Sequence, residues 1–242
     1  MKVAVLYTFH IVKPQLAHYI NSTFKADDVD FYLIPCGLDI SSVQIPDYVK
    51  VIKRRNQGYD FGAWSDAILD NDLYKDYTHF IFINSSVSGP FTPPYHSGRW
   101  TDVFITPLND ELRLFGTTIN CCHNPGKLAH VQSFVFSMER RTVEFLIEKH
   151  VFTQQSYCVS MMQAISTKEV RMSREIIKAG WNIGCLLQCF RDVDFRTVTA
   201  VVENNDVCYK GAYFGQTTHP YEVVFVKSNR GQDLKWLKMY EV

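Results

Sequence analysis

The sequence predicts an α/β fold: a mostly parallel central sheet flanked by helices. Two observations lead to it. Apolar runs too continuous for a strand exposed on one face recur at 2–9 (KVAVLYTF), 29–36 (VDFYLIPC) and 78–84 (THFIFIN), as expected of strands covered on both sides. Helical stretches separate them, and strands alternating with helices build parallel sheets. In chain order, Pro14 suits the first turn of a helix over about 14–24. A shorter strand follows at 48–53 (YVKVIK), and a helix at 61–70 after two glycines. A further helix is expected at 143–150 (VEFLIEKH). Residues 169–187 read as a helix ended by Gly180 and followed by a strand. The Pro- and Gly-rich loop 88–99 (SGPFTPPYHSGR) is expected to arch over a site.

The 242 residues suit a single domain, and no repeat, linker or low-complexity tract divides them. Lys+Arg and Asp+Glu are both 25, so the net charge is zero. A chain that grips nucleic acid through its phosphates carries a basic excess, so nucleic acid is not an expected partner. The opening MKVAVLYTFH reads as a buried strand rather than a secretory signal, and no run reaches the ~18 apolar residues of a membrane span. Seven cysteines, an odd number without regular spacing, fit reduced thiols in the cytoplasm. Cys121, Cys122 and His123 sit together, but adjacent cysteines do not match zinc-ligand spacings.

In open α/β sheets, ligands bind beyond the carboxyl ends of the strands. The first candidate loop there is RRNQGYDFGAW, 54–64. Gly58 and Gly62 allow backbone angles and close approaches that other residues resist, and the helix that begins here turns its amino end toward a negative charge. A tight strand-to-helix turn is the competing reading. The second is Asn84-Ser85-Ser86, where strand 78–84 stops on three small polar residues able to meet phosphate or sugar hydroxyls. A plain Asn/Ser turn competes with that reading.

NQGYDFGAW, NSSVSGPF, HVQSFVF and HPYEVVFVKSNR together resemble the nucleotide-sugar half of GT-A glycosyltransferases, most closely those of rhamnan-synthesis proteins and large algal viruses. The resemblance spans roughly 50–230. It implies a donor half at about 1–120 and an acceptor half at about 121–242. Donor-binding residues on this reading are His10, Arg55, Asn56, Gly58, Asp60, Gly62, Asn84, Ser85, Ser86, His219, Lys227 and Arg230. Lys227 and Arg230 suit the charge of a leaving diphosphate. His130 and Gln132 are assigned to the acceptor. The family's D-x-D triplet, which holds manganese or magnesium, reads Asn84-Ser85-Ser86 here. Hard cations prefer carboxylates, so a metal at this position is in question, with Asn84 and His219 the residues left to touch it.

The resemblance also implies a catalytic base. KEVRMSREIIKAGW places Glu169 at the acidic position of the family's acceptor-side helix, suited to take the acceptor's proton. Ser166-Thr167-Lys168-Glu169 also spells a capping box, which would make Glu169 a helix cap. DVDF at 192–195 has D-x-D letters but lies too late in the chain, and Trp64 is expected to pack its helix. The implied activity is inverting transfer of a hexose or rhamnose from a nucleotide diphosphate, with uridine the implied base, to a glycan or glycoprotein. A degenerate domain that binds without catalysis and a sugar nucleotidyltransferase are the alternatives.

Overall fold

The computed structural model describes residues 1–121, 129–198, 206–231 and 233–240. Cys122 and His123 lie outside the described residues. The chain opens with β1 (Val3–Phe9), α1 (Pro14–Asn21), β2 (Val29–Pro35), β3 (Val49–Val51), α2 (Tyr59–Leu69) and β4 (His79–Asn84). It continues through β5 (Val87–Ser88), α3 (Trp100–Ile105), β6 (Leu112–Gly116), β7 (Ile119–Asn120), β8 (His130–Val131), β9 (Val135–Glu139) and α4 (Arg140–Glu148). One long rod follows: α5 (Met161–Ala164), a π-helical stretch (Ile165–Val170) and α6 (Arg171–Lys178). Then come β10 (Asn182–Cys185), α7 (Pro220–Val223), β11 (Val226–Lys227) and α8 (Leu234–Lys238).

Seven strands form the main sheet in the order β10-β6-β9-β4-β1-β2-β3. Only β9 runs against the others, so the sheet is mostly parallel, as expected. β1 is buried along its whole length because both its faces are covered. Ala4 and Leu6 join one core with Trp64, Phe82 and Phe136, while Val3, Val5, Tyr7 and Phe9 join the other with Tyr19, Trp100 and Phe104. Alternation along each strand sends successive side chains to opposite layers. Trp64 packs as expected, its indole N–H donating to the Leu6 carbonyl at 3.3 Å.

The structure corrects several expectations. The first helix stops at Asn21, where the Ser22 side chain folds back onto the Tyr19 carbonyl at 2.6 Å. The second starts at Tyr59, on a left-handed Gly58. The helix expected from 169 starts at 161, where Ser160 caps it by accepting the Gln163 N–H. Ser166 lies inside the rod, its hydroxyl donating to the Met162 carbonyl at 2.9 Å, so the capping box does not form. The loop 88–99 is anchored at its start. Phe91 N–H donates to the Val224 carbonyl at 2.7 Å and the Pro90 carbonyl faces His18, which fastens its start to α1 and the C-terminal segment. Among the described residues no helix is long and apolar enough to cross a membrane.

Candidate functional site

The chain places β2 and β3 on one side of β1 and β4 on the other, so the crevice beyond the carboxyl ends of β1 and β4 is the topological switch point. Because β9 is antiparallel, its start also lies at this edge: the Asn84 N–H donates to the Phe134 carbonyl at 3.0 Å. Asn84 ends β4, Asp60 sits in the first turn of α2, and the Asn84 side-chain amide donates to Asp60 Oδ2 at 2.8 Å. The Asn84 Oδ1 accepts from the Ser86 N–H at 3.0 Å and from the Ser86 hydroxyl. Both ends of the amide are thus committed.

Glu169 reaches the same edge from the π-helical stretch. Its Oε2 accepts from the Ser133 N–H at 2.7 Å and the Ser133 hydroxyl at 2.5 Å, and Oε1 lies 3.6 Å from His130 Nε2. π-Turns are rare and recur at functional sites. Lys227, on β11, pairs with Val87 on β5 just past the serines, with its ammonium 4.8 Å from the Phe134 ring centre. Asp60 feels the charges of Lys227, His10 and Glu169, which puts the four in one electrostatic neighbourhood.

Burial sets the protonation preferences. It pushes the Asp60 carboxyl above its ordinary value, against the Asn84 hydrogen bond and the pull of Lys227 and His10. Burial also raises the Glu169 carboxyl, but the hydrogen bonds from His130 and Ser133 outweigh it, and the group is held below the usual glutamate value. Burial pulls the Lys227 ammonium down. The edge therefore holds one carboxylate kept ionised, one pushed toward its neutral form, and an ammonium between strands.

The contacts around the two glycines fit the competing reading, a tight strand-to-helix turn. A Cβ at Gly58 would stand 2.6 Å from Tyr157 Cδ1, and one at Gly62 would stand 2.4 Å from the Gln57 carbonyl oxygen. What approaches them closely is the chain itself. Arg54 builds the same turn: its guanidinium pairs with Asp66 at 2.7 Å and donates to the carbonyls of Arg55 and Gln57. Arg55 and Asn56 are exposed on the loop. Ser85 is buried, its N–H donating to the Thr8 carbonyl at 3.0 Å.

Other assignments move as well. His219, the metal and donor candidate, caps α7, with Nδ1 accepting the Tyr221 N–H at 3.2 Å and Nε2 3.3 Å from the Tyr240 hydroxyl. Gln132 is buried in an internal network: its carbonyl accepts from Thr118 at 2.7 Å and from Cys208, and its amide donates to Asp206 at 3.2 Å. Those bonds replace the expected acceptor contact. Arg230 lies over the Tyr209 ring at 5.0 Å, with Asp206 4.0 Å away. Asp194 is tied to the Arg196 guanidinium at 2.9 Å. His130, assigned to the acceptor, stands beside Glu169, the residue assigned as the acceptor-side base. Ser133 lies within the HVQSFVF motif, yet only the folded chain shows that it holds Glu169.

The donor set does not suit a metal clamp. With the Asn84 oxygen turned to Ser86 and its amide to Asp60, the triplet offers no carboxylate, and the one beside it is that of Asp60 on α2. Among the described residues no group of three or more His, Cys, Asp or Glu is placed to hold a metal ion.

The family model described as "Rhamnan synthesis protein F" matches residues 41–210, more than half of the chain. No curated protein sequence matches significantly. Among solved structures, a CMP:2-keto-3-deoxy-manno-octonic acid synthetase complexed with CTP aligns at 12% identity and a TM-score of 0.44, covering 76% of this chain and 89% of that one. A glycosyltransferase involved in glycosylation of the major capsid of PBCV-1 aligns at 12% identity and 0.35, covering 68% and 74%. The apo-form glycosyltransferase GlyE of Streptococcus pneumoniae TIGR4 aligns at 12% and 0.32, covering 70% and 44%. The family match, not these distant structural likenesses, bears on function.

Proposed function

Since the chain belongs to the rhamnan synthesis protein F family, we propose that it is an inverting glycosyltransferase moving a hexose or rhamnose from a uridine diphosphate donor to a glycan or glycoprotein acceptor. The supporting observation is the Glu169 carboxylate, held ionised by Ser133 and His130 at the switch-point edge. Glu169 takes the proton of the acceptor hydroxyl as that oxygen attacks the anomeric carbon. The bond from that carbon to the diphosphate breaks, and the leaving diphosphate departs with the electron pair. Lys227 meets the negative charge that develops on it, a role a metal fills where a D-x-D triplet is present. Arg230 follows three residues later on the same segment and adds to the positive field. Residues 1–120 supply the donor crevice and 121–242 the base, as two halves of one domain in the cytoplasm.

Glu169→Gln tests the reading. Glutamine keeps the shape and its oxygen still accepts from Ser133, but the amide cannot take the proton. The variant should fold, should keep the thermal shift given by uridine diphosphate, and should lose sugar transfer by ~10²–10⁴-fold. Retained transfer refutes the assignment of the base. The Asn84-Ser85-Ser86 sequence favours a second reading, a domain that binds nucleotide sugar without catalysis. Absence of donor turnover with and without manganese, alongside an intact thermal shift, would select it.

A further inference from the structure

Lysine is among the residues least often buried, yet Lys168 is only 7% exposed. Its ammonium donates to the carbonyl of His150 at 2.8 Å and to that of Val151 at 2.9 Å. One turn on, Arg171 donates to the Lys149 carbonyl at 2.8 Å. These three carbonyls lie just past the end of α4, where His150 takes the left-handed φ of +56°. A helix leaves its last carbonyls without partners and concentrates negative partial charge there, so two cations at that point stabilise it.

The connection has a mechanical consequence. α4 follows β9 without a break, and β9 begins two residues after Ser133. Ser133 holds Glu169, and Glu169 is the next residue after Lys168. A closed circuit results: Ser133, β9, α4, the His150 and Val151 carbonyls, Lys168, Glu169 and back to Ser133. The π-helical stretch at 165–170 is part of it. Relaxing that stretch to ordinary α-helix would turn one half of the rod against the other by up to about 100°, the rotation of one residue, and would carry Glu169 off Ser133.

We propose that Lys168 is a positioning residue, whose grip on the end of α4 holds the π-helical stretch in register and aims the Glu169 carboxylate at the acceptor site. This rests on the reading of Glu169 as the base, but the placement of Glu169 can be read apart from that role.

The experiment compares Lys168→Met with wild type and with Glu169→Gln, using the backbone amide signal of Ser133 and the release of uridine diphosphate from UDP-glucose and UDP-rhamnose. The Ser133 amide donates to a carboxylate in the wild type, and its resonance should move in the Met variant as that bond is lost. Turnover should fall by about 10²-fold, the scale of a misplaced catalytic group, with the Michaelis constant for the donor unchanged. Lys168→Arg, which can still donate to both carbonyls, should recover both readouts. Where the Met variant does not fold, Lys168→Gln keeps one amide donor and should move the Ser133 signal part of the way. A Ser133 signal that stays at its wild-type position in folded Met or Gln variants overturns the proposal. A moved Ser133 signal with full turnover in Glu169→Gln supports the positioning and refutes the base instead.

Discussion

Gly58→Ala separates a glycine needed by the chain from one needed by a ligand. Two costs can be worked from the structure. Gly58 has φ +78°, and an L-residue there pays about 1–2 kcal/mol for the left-handed backbone. The new Cβ would also stand 2.6 Å from Tyr157 Cδ1 and 3.1 Å from Tyr157 Cβ. The ring cannot simply swing away, because the Tyr157 hydroxyl donates to Asp66 at 2.7 Å and the Arg54 guanidinium lies over it at 5.9 Å. Overpacking of this kind costs about 1–3 kcal/mol. The single variant should therefore lose about 2–5 kcal/mol, the sum of the two terms. In a Tyr157→Ala background the ring clash is gone, and the left-handed backbone term of about 1–2 kcal/mol stays together with the 3.1 Å approach to the Gly62 Cα, so the same substitution should cost less than in the wild type. Urea denaturation of the four proteins measures the coupling directly, provided the slopes agree. Additive costs, with a coupling below about 0.5 kcal/mol, would refute the argument that Tyr157 is what demands a glycine. Gly62→Ala is a useful contrast: its Cβ meets a backbone oxygen, that of Gln57, at 2.4 Å, so removing Tyr157 should rescue little of the loss.

Burial raises the Asp60 carboxyl, so the folded state binds that proton more tightly than the unfolded chain. The stability from this group is full below the unfolded value near 3.8 and is lost as pH rises through the higher folded value. Asp60→Asn should remove that loss, so its melting temperature relative to wild type should climb as the pH rises above the unfolded value; a flat difference would refute the assignment. Lys227→Met should abolish turnover that chelator leaves intact in the wild type, whereas activity lost to chelator and restored by manganese alone would show that a cation is required after all. Asn84→Asp would set a second carboxylate where an amide now stands 2.8 Å from Asp60. The pair should then share a proton, and manganese should raise the melting temperature of the variant and not of wild type; an equal rise in both would place the metal elsewhere.

The strands most legible in the sequence are those buried on both faces, while β3 and β10 are legible from their flanking turns and helices. β1, β2 and β4 show as continuous apolar runs because each contributes to both core layers. β6 was not foreseen: in LRLFG an arginine interrupts the run, and Arg113 is nonetheless buried, paired with Glu139 and Asp110. The antiparallel course of β9 leaves no local signature either, since orientation is set by which neighbours a strand finds. The start of the long rod at 161 carries no sequence signal, because its first turn is Met161 and Met162 at 64% and 71% exposure and no apolar face marks it. The π-helical stretch has no composition of its own.

The site was legible as residue types and not as partnerships. Asp60, Asn84, Glu169 and Lys227 each stood out, but nothing in their spacing shows that Asn84 spends its amide on Asp60. That bond changes what the missing D-x-D carboxylate means. An aspartate at 84 would set two anions side by side at the end of β4, tolerable only with a divalent cation between them or a shared proton. An asparagine there can donate to Asp60 through one end and accept from Ser86 through the other, which satisfies the buried carboxyl without a cation. The positive charge then has to come from a side chain that reaches the same edge, and Lys227 arrives there on β11, a strand formed from the last part of the chain and paired with β5 directly after Ser86. On the proposed reading, the absence of an acidic triplet and the half-buried Lys227 at the same edge are two halves of one electrostatic arrangement, and they meet only once residues 84 and 227 are folded together.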